Sequence, residues 1–144
     1  MVDVSAKPAS RRVASASGNI SMSREAFAAV RDNGIAKGDV LGVARVAGIM
    51  GAKRTADLIP LCHPIPLSSV DLVLTLDETA PGVRATCTVA STALTGVEME
   101  AIMGVTVALA TIYDMAKSAD RAMVIGDIRL LSKTGGKSGD YQAT

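Results

Sequence analysis

Four residues in this chain carry groups suited to proton transfer: Lys37, His63, Asp114 and Lys117. His63 is the only histidine, and it sits in Lys53-Arg-Thr-Ala-Asp-Leu-Ile-Pro-Leu-Cys-His-Pro-Ile-Pro66. Pro60, Pro64 and Pro66 fix backbone angles on both sides of it. Imidazole titrates near neutrality, so His63 reads as a general acid/base or phosphate donor, or as a ring packed in a Pro-rich loop. Asp114 and Lys117 are three apart and share one helix face. They read as a surface ion pair, or as a carboxylate kept for function at the end of a helix dipole that disfavours it. Lys37 stands just before a helix, in Ile35-Ala-Lys-Gly-Asp39. It is either a solvated loop lysine or an amine that moves protons beside a second cation.

These groups need elements to position them. A short strand is expected over Arg12 to Ser17, ended by Gly18-Asn19, after a polar lead-in of residues 1–10. Ser23 fits the N-cap of a helix through Val30 and Arg31, stopped by Asn33-Gly34. Asp39 fits the N-cap of a second helix reaching Lys53 or Arg54; its Gly42, Gly48 and Gly51 suggest close helix packing. Residues 58–66 read as an extended loop. Val70, Leu72, Leu74 and Leu76 alternate as in a strand, and Ala80-Pro81-Gly82 turns the chain into a second strand, Val83 to Val89. Thr95-x-x-Glu98 has capping-box spacing and opens the longest helix, to about Lys117 or Ser118. On that reading Glu98 is a cap, Met99 is core, and Glu100 is favoured in the first turn. Met123 to Leu131 is the last strand, and Ser132 to Thr144 a mobile tail. The order is one α+β domain over 1–144, with helices on one face of a mainly antiparallel four-stranded sheet.

Composition narrows the function classes. The net charge is +1, from 15 basic and 14 acidic residues. That argues against non-specific binding to nucleic acid or to a membrane surface. Aromatics make up 2 %, too few for a base-stacking platform. The chain is 49 % hydrophobic with mean hydropathy +0.33, which points to apolar surface buried between copies of the chain. Cys62 and Cys87 offer neither a disulfide framework nor metal-ligand spacing, and fit reduced thiols in the cytoplasm. The opening residues lack the apolar core of a signal peptide, and the uncharged stretch Ala101 to Tyr113 is too short to span a bilayer. Gly135-Gly-Lys-Ser138 is no phosphate loop, because Leu131 occupies the place of the first Walker glycine.

Several blocks together resemble one family. They are Lys37-Gly-Asp-Val, Ala52-Lys-Arg-Thr-x-Asp-Leu-Ile-Pro-Leu-Cys-His-Pro, Thr95-Gly-Val-Glu-Met-Glu-Ala, Thr111-Ile-Tyr-Asp-Met-x-Lys, and Met123 to Gly139. With the opening Met1-Val-Asp-Val-Ser, they are similar to the cyclic pyranopterin monophosphate synthases, or MoaC type, of molybdenum-cofactor biosynthesis. The resemblance implies a ferredoxin-like sandwich, assembled as a homohexamer (a trimer of dimers) with sites between dimer partners. It implies a cyclic dihydro-GTP substrate, release of pyrophosphate, and no redox cofactor. Carried over by motif, Asp114, Lys117, Lys37 and His63 form the catalytic set. Leu61, Cys62, His63, Met99 and Glu100 line the substrate, and Lys133 and Lys137 meet phosphate.

This chain departs from the family pattern at Ala93 and Leu94, where Gly and a basic residue are usual, and at Ala116, where Cys is usual. A non-catalytic oligomeric binding module and a GTP hydrolase are the alternative readings. Convergence of Lys37, His63, Asp114 and Lys117 in one pocket would favour the enzyme, and their scatter over solvent would favour the binding module. Lys37 precedes one helix and Lys117 ends another, so a single chain need not bring them together, and a site shared between subunits is expected.

Overall fold

The computed structural model describes residues 1–137 and 139–144. Ser138, in the tail expected to be mobile, lies outside the described residues. The elements are β1 (Ser10–Ser21), α1 (Arg24–Arg31), α2 (Val40–Lys53), α3 (Thr55–Leu58), β2 (Ser69–Asp77), β3 (Gly82–Ala93), α4 (Glu98–Ala116), β4 (Val124–Thr134) and β5 (Tyr141–Gln142). The described strands form one antiparallel sheet in the order β2-β3-β1-β4-β5. This is the α+β, ferredoxin-like arrangement expected, with a fifth strand added.

Alternation puts one face of the sheet in the core. Val83, Ala85, Cys87, Val89, Ser91 and Ala93 are buried along β3, while Arg84 and Thr92 between them are exposed. α4 lies on that face against β1, β3 and β4, and α2 covers β2. The 19-residue α4 is long and apolar enough, by length and composition, to cross a membrane, which the shorter count over Ala101 to Tyr113 did not anticipate. Its Ala101, Val105, Ala108, Leu109 and Ile112 are fully buried within this fold, so it serves as the core helix.

Local chemistry sets the helix starts. Ser23 accepts from Ala26 N at 3.1 Å, and Asp39 accepts from Gly42 N at 2.9 Å, so both expected N-caps form. The capping box at Thr95 does not. α4 begins at Glu98 behind Val97, with no side-chain cap: Thr95 stands two residues before the cap position, and the Glu98 carboxylate pairs with Lys133 on β4 at 3.2 Å. β1 runs through Gly18 rather than stopping there. A Cβ on Gly18 would stand 2.9 Å from Val105 and 3.1 Å from Leu109, so the bare backbone is what lets α4 settle on the strand. The short α3, absent from the sequence reading, occupies Thr55–Leu58 before Pro60.

The tail is also more built than expected. β4 continues to Thr134, and Tyr141 pairs with Lys133, Gln142 with Ser132. Gly135 and Gly136 both hold φ +89° and press against the Arg11 carbonyl and the Arg12 guanidinium. Only glycine meets both demands, since an L side chain is strained at that φ and would collide.

Candidate active site

α2 and α4 run antiparallel, and their crossing brings the first group of residues together. A Cβ on Gly48 would lie 2.7 Å from the Gly104 carbonyl, so the two backbones touch there without side chains. That contact sets α2's start beside α4's end. Lys37 Nζ donates to Asp114 Oδ2 at 2.7 Å and to the Asp114 carbonyl at 3.0 Å. Lys117 Nζ donates to Asp114 Oδ1 at 2.7 Å. One carboxylate thus holds two amines, one on each oxygen. Both lysines draw the Asp114 pKa down to about 2, Lys117 most strongly, so Asp114 is ionised at neutral pH. All three side chains are about half exposed and open to an incoming molecule.

The expectation that one chain need not unite Lys37 with Lys117 is corrected here. A single chain does so, because the glycine contact fixes α2 along α4.

His63 is elsewhere. Its loop and the start of α4 border a cavity of about 500 Å³ lined by Leu61, Cys62, His63, Met99 and Glu100, with Lys7 from the N-terminal segment. His63 Nε2 donates to the Val2 carbonyl at 2.8 Å. Glu100 is only 4 % exposed, and burial, followed by the nearby Glu98, pushes its pKa up. Burial, then the Glu100 charge, raises the Cys62 thiol, which disfavours its thiolate. The core thiol Cys87 is raised to about 11 by burial. A second cavity, of about 270 Å³, lies behind His63 and Glu100 and is bordered by Lys53, Arg54 and Asp57.

The family-derived phosphate residues separate. Lys133 borders a cavity of about 490 Å³ with Glu98, Arg129 and Tyr141, adjoining the first cavity through Glu98. Lys137 sits exposed in the turn between β4 and β5 and lines none of these cavities. Lys7 was missed within a segment read as polar lead-in. The signal for it was the opening block, whose match to the family reaches Ser5, two residues before it.

The two groups stand at opposite ends of α4. Glu100 and Asp114 are fourteen residues apart on that helix, about 21 Å at the α-helical rise. Among the described residues no three His, Cys, Asp or Glu side chains stand close enough to hold a metal ion.

The model of the MoaC family matches residues 1–136. A protein of Heliobacterium modesticaldum is 60 % identical over 141 residues, 98 % of this chain and 89 % of that protein. One of Cereibacter sphaeroides is 58 % identical over 144 residues, 100 % of this chain and 91 % of that protein. One of Parvibaculum lavamentivorans is 54 % identical over 143 residues, 99 % and 89 % respectively. Each bears the name cyclic pyranopterin monophosphate synthase.

Proposed function

We propose that this chain, which belongs to the MoaC family, converts (8S)-3',8-cyclo-7,8-dihydroguanosine 5'-triphosphate to cyclic pyranopterin monophosphate and pyrophosphate. At the coarser level it is an enzyme of molybdenum-cofactor biosynthesis. The observation that carries the finer reading is the Lys37–Asp114–Lys117 group, two amines anchored to one ionised carboxylate.

The reaction needs two kinds of help. Opening and rearranging the guanine moves protons among nitrogen and oxygen atoms. Two amines held side by side supply a base and an acid, and Asp114 orients both. Forming the cyclic phosphate needs a sugar hydroxyl to attack the first phosphorus. Its proton passes to a base, and the bond to the second phosphate breaks to release pyrophosphate. Cations must balance charge on that leaving group. Lys133, which borders the adjoining cavity, and Lys7, which lines the first, are the cations proposed for this role. His63, Leu61, Cys62, Met99 and Glu100 hold the base and sugar.

Neither group suffices alone, and α4 keeps them apart within a chain. The reading is therefore of a site completed between two copies in a homohexamer. The Lys37–Asp114–Lys117 group comes from one copy and the His63 cavity from its partner. No cofactor is assigned.

The test is turnover of the cyclic dihydro-GTP, with pyrophosphate release as readout and plain GTP as control. Asp114→Asn keeps the size of the side chain and removes its charge. It should lower turnover by about 10²-fold or more, the range of a positioned acid–base group, with an unchanged fold. Wild-type turnover by Asp114→Asn, or turnover of plain GTP instead, would overturn the assignment.

A further inference from the structure

The face of the sheet turned away from α4 holds a cavity of about 280 Å³, bordered by Ser17 and Asn19 of β1, Arg84 of β3, and Asp127 and Arg129 of β4. The strand register sets these side chains on one face. Asn19 stands opposite Arg84, and Ser17 opposite Arg129. A Cβ on Gly18 would point at Val105 and Leu109 of α4, so its neighbours Ser17 and Asn19 point the other way. The cavity shares no residue with the His63 cavity or with the Lys37–Asp114–Lys117 group; Arg129 also borders the Lys133 cavity.

Its polar groups are unpartnered. Among the described residues, the side chains of Ser17, Asn19, Arg84, Asp127 and Arg129 make no hydrogen bond or ion pair within the chain. The Arg84 charge acts on Asp77 of β2, but from beyond ion-pair distance. The backbone is bent here as well. Between the pairs Ser17–Arg129 and Asn19–Gly126, both Asp127 and Ile128 of β4 stand opposite Gly18 alone. Asp127 takes up the extra residue at φ +52°. A bulge of this kind re-aims a side chain, and this one brings a carboxylate to the cavity edge.

The lining selects the chemistry of an occupant. Each guanidinium presents a planar fork that fits the oxygens of a phosphate. Two positive charges against one negative favour an anion. The Asp127 carboxylate accepts hydrogen bonds and repels a bare phosphate, so it calls for a hydroxyl on the same molecule. At about 280 Å³ the cavity lies just below the roughly 300–1,000 Å³ of small-ligand sites, which suits a sugar phosphate better than a nucleoside triphosphate.

We propose that this cavity binds a phosphate monoester of sugar-phosphate size, with its phosphate on Arg84 and Arg129 and its hydroxyls on Asp127 and Asn19. The site stands apart from the turnover assigned above, and binding is read without it.

Equilibrium dialysis of the intact protein against ribose 5-phosphate, inorganic phosphate and ribose decides it. Ribose 5-phosphate should bind more tightly than either of the others. Arg84→Ser and Arg84→Lys should each weaken it about 10-fold or more, since lysine keeps the charge but not the fork. His63→Ala should bind it as wild type does, and Arg84→Ser should release pyrophosphate from the cyclic substrate at the wild-type rate. Asp127→Ala should erase the preference for the ester over inorganic phosphate. Absence of ribose 5-phosphate binding, or binding lost in His63→Ala and kept in Arg84→Ser, would overturn the site. Inorganic phosphate bound as tightly by the wild type would overturn the role of Asp127. A loss of turnover in Arg84→Ser that matches its loss of binding would overturn the separation from the reaction.

Discussion

Mixed assemblies test the division of the site quantitatively. Co-expression of Lys37→Ala chains with His63→Ala chains should restore turnover that neither variant has alone. In a dimer holding one chain of each kind, one site receives the altered lysine and the altered histidine together. The other site receives the native Lys37 group and the native His63 cavity. At random 1:1 mixing roughly half of the dimers are mixed, and each has one intact site of two, so roughly a quarter of wild-type turnover returns. The structure makes a sharper claim about the other pairings. Lys37, Asp114 and Lys117 meet on one carboxylate within a single chain. Mixing Lys37→Ala with Lys117→Ala therefore leaves every site short of one amine, and turnover should stay at the parental level.

The assay is pyrophosphate release from the cyclic substrate, normalised to verified mixed assemblies. Recovery by the Lys37→Ala and Lys117→Ala pair would show that those amines reach one site from different chains. No recovery by the Lys37→Ala and His63→Ala pair would show that all these groups serve a site within one chain. Either result refutes the division along α4.

Three further outcomes follow from named contacts. The folded pKa of Asp114 is depressed to about 2, so its stabilising pairs are fully present above about pH 3.8 and lost as pH falls towards 2. Asp114→Asn should accordingly shift the melting temperature by the same amount at about pH 5 and about pH 8; a shift that changes between them contradicts the ionisation assigned. The Glu100 pKa is raised, so the wild type is favoured below 4.5 and loses that advantage as pH rises through the folded value. The melting temperature of Glu100→Gln relative to wild type should therefore climb between about pH 4 and about pH 7.5, and a flat difference in calorimetry counts against the buried carboxylate. Gly48→Ala puts a methyl 2.7 Å from the Gly104 carbonyl. It should cost about 1–3 kcal/mol in thermal or denaturant unfolding and lower turnover by shifting Lys37 off Asp114; unchanged values for both would mean the helix contact does not set the site.

Features governed by neighbours in sequence were readable from it, and features governed by distant neighbours were not. Ser23 and Asp39 cap α1 and α2 through amides three residues on, so composition and spacing revealed both. Thr95-x-x-Glu98 has equally good local spacing, yet Lys133, thirty-five residues beyond Glu98, claims the carboxylate. Gly18 reads locally as a strand stop, but the packing of Val105 and Leu109 makes it the position where the strand must lack a side chain. α3 has only four residues, less than periodicity can register. β5 exists through its pairing with Ser132 and Lys133 across Gly135, Gly136 and Gly139.

The candidate site divides in the same way. Motif resemblance supplied its residues, but their grouping depends on where α2 crosses α4, which no local pattern encodes. That crossing has a chemical consequence. A fixed contact at Gly48 and Gly104 can bring Lys37 to Asp114 only by placing α2's start at α4's end, and the same rigid helix holds Glu100 and His63's cavity about 21 Å away. Flexing a loop does not close a gap of that length along a buried helix. Lys137 and Lys7 stand exposed outside helices and strands, whereas the two halves on α4 are fixed along one buried helix and cannot approach each other. If both halves act on one substrate, the approach must come from a second copy of the chain.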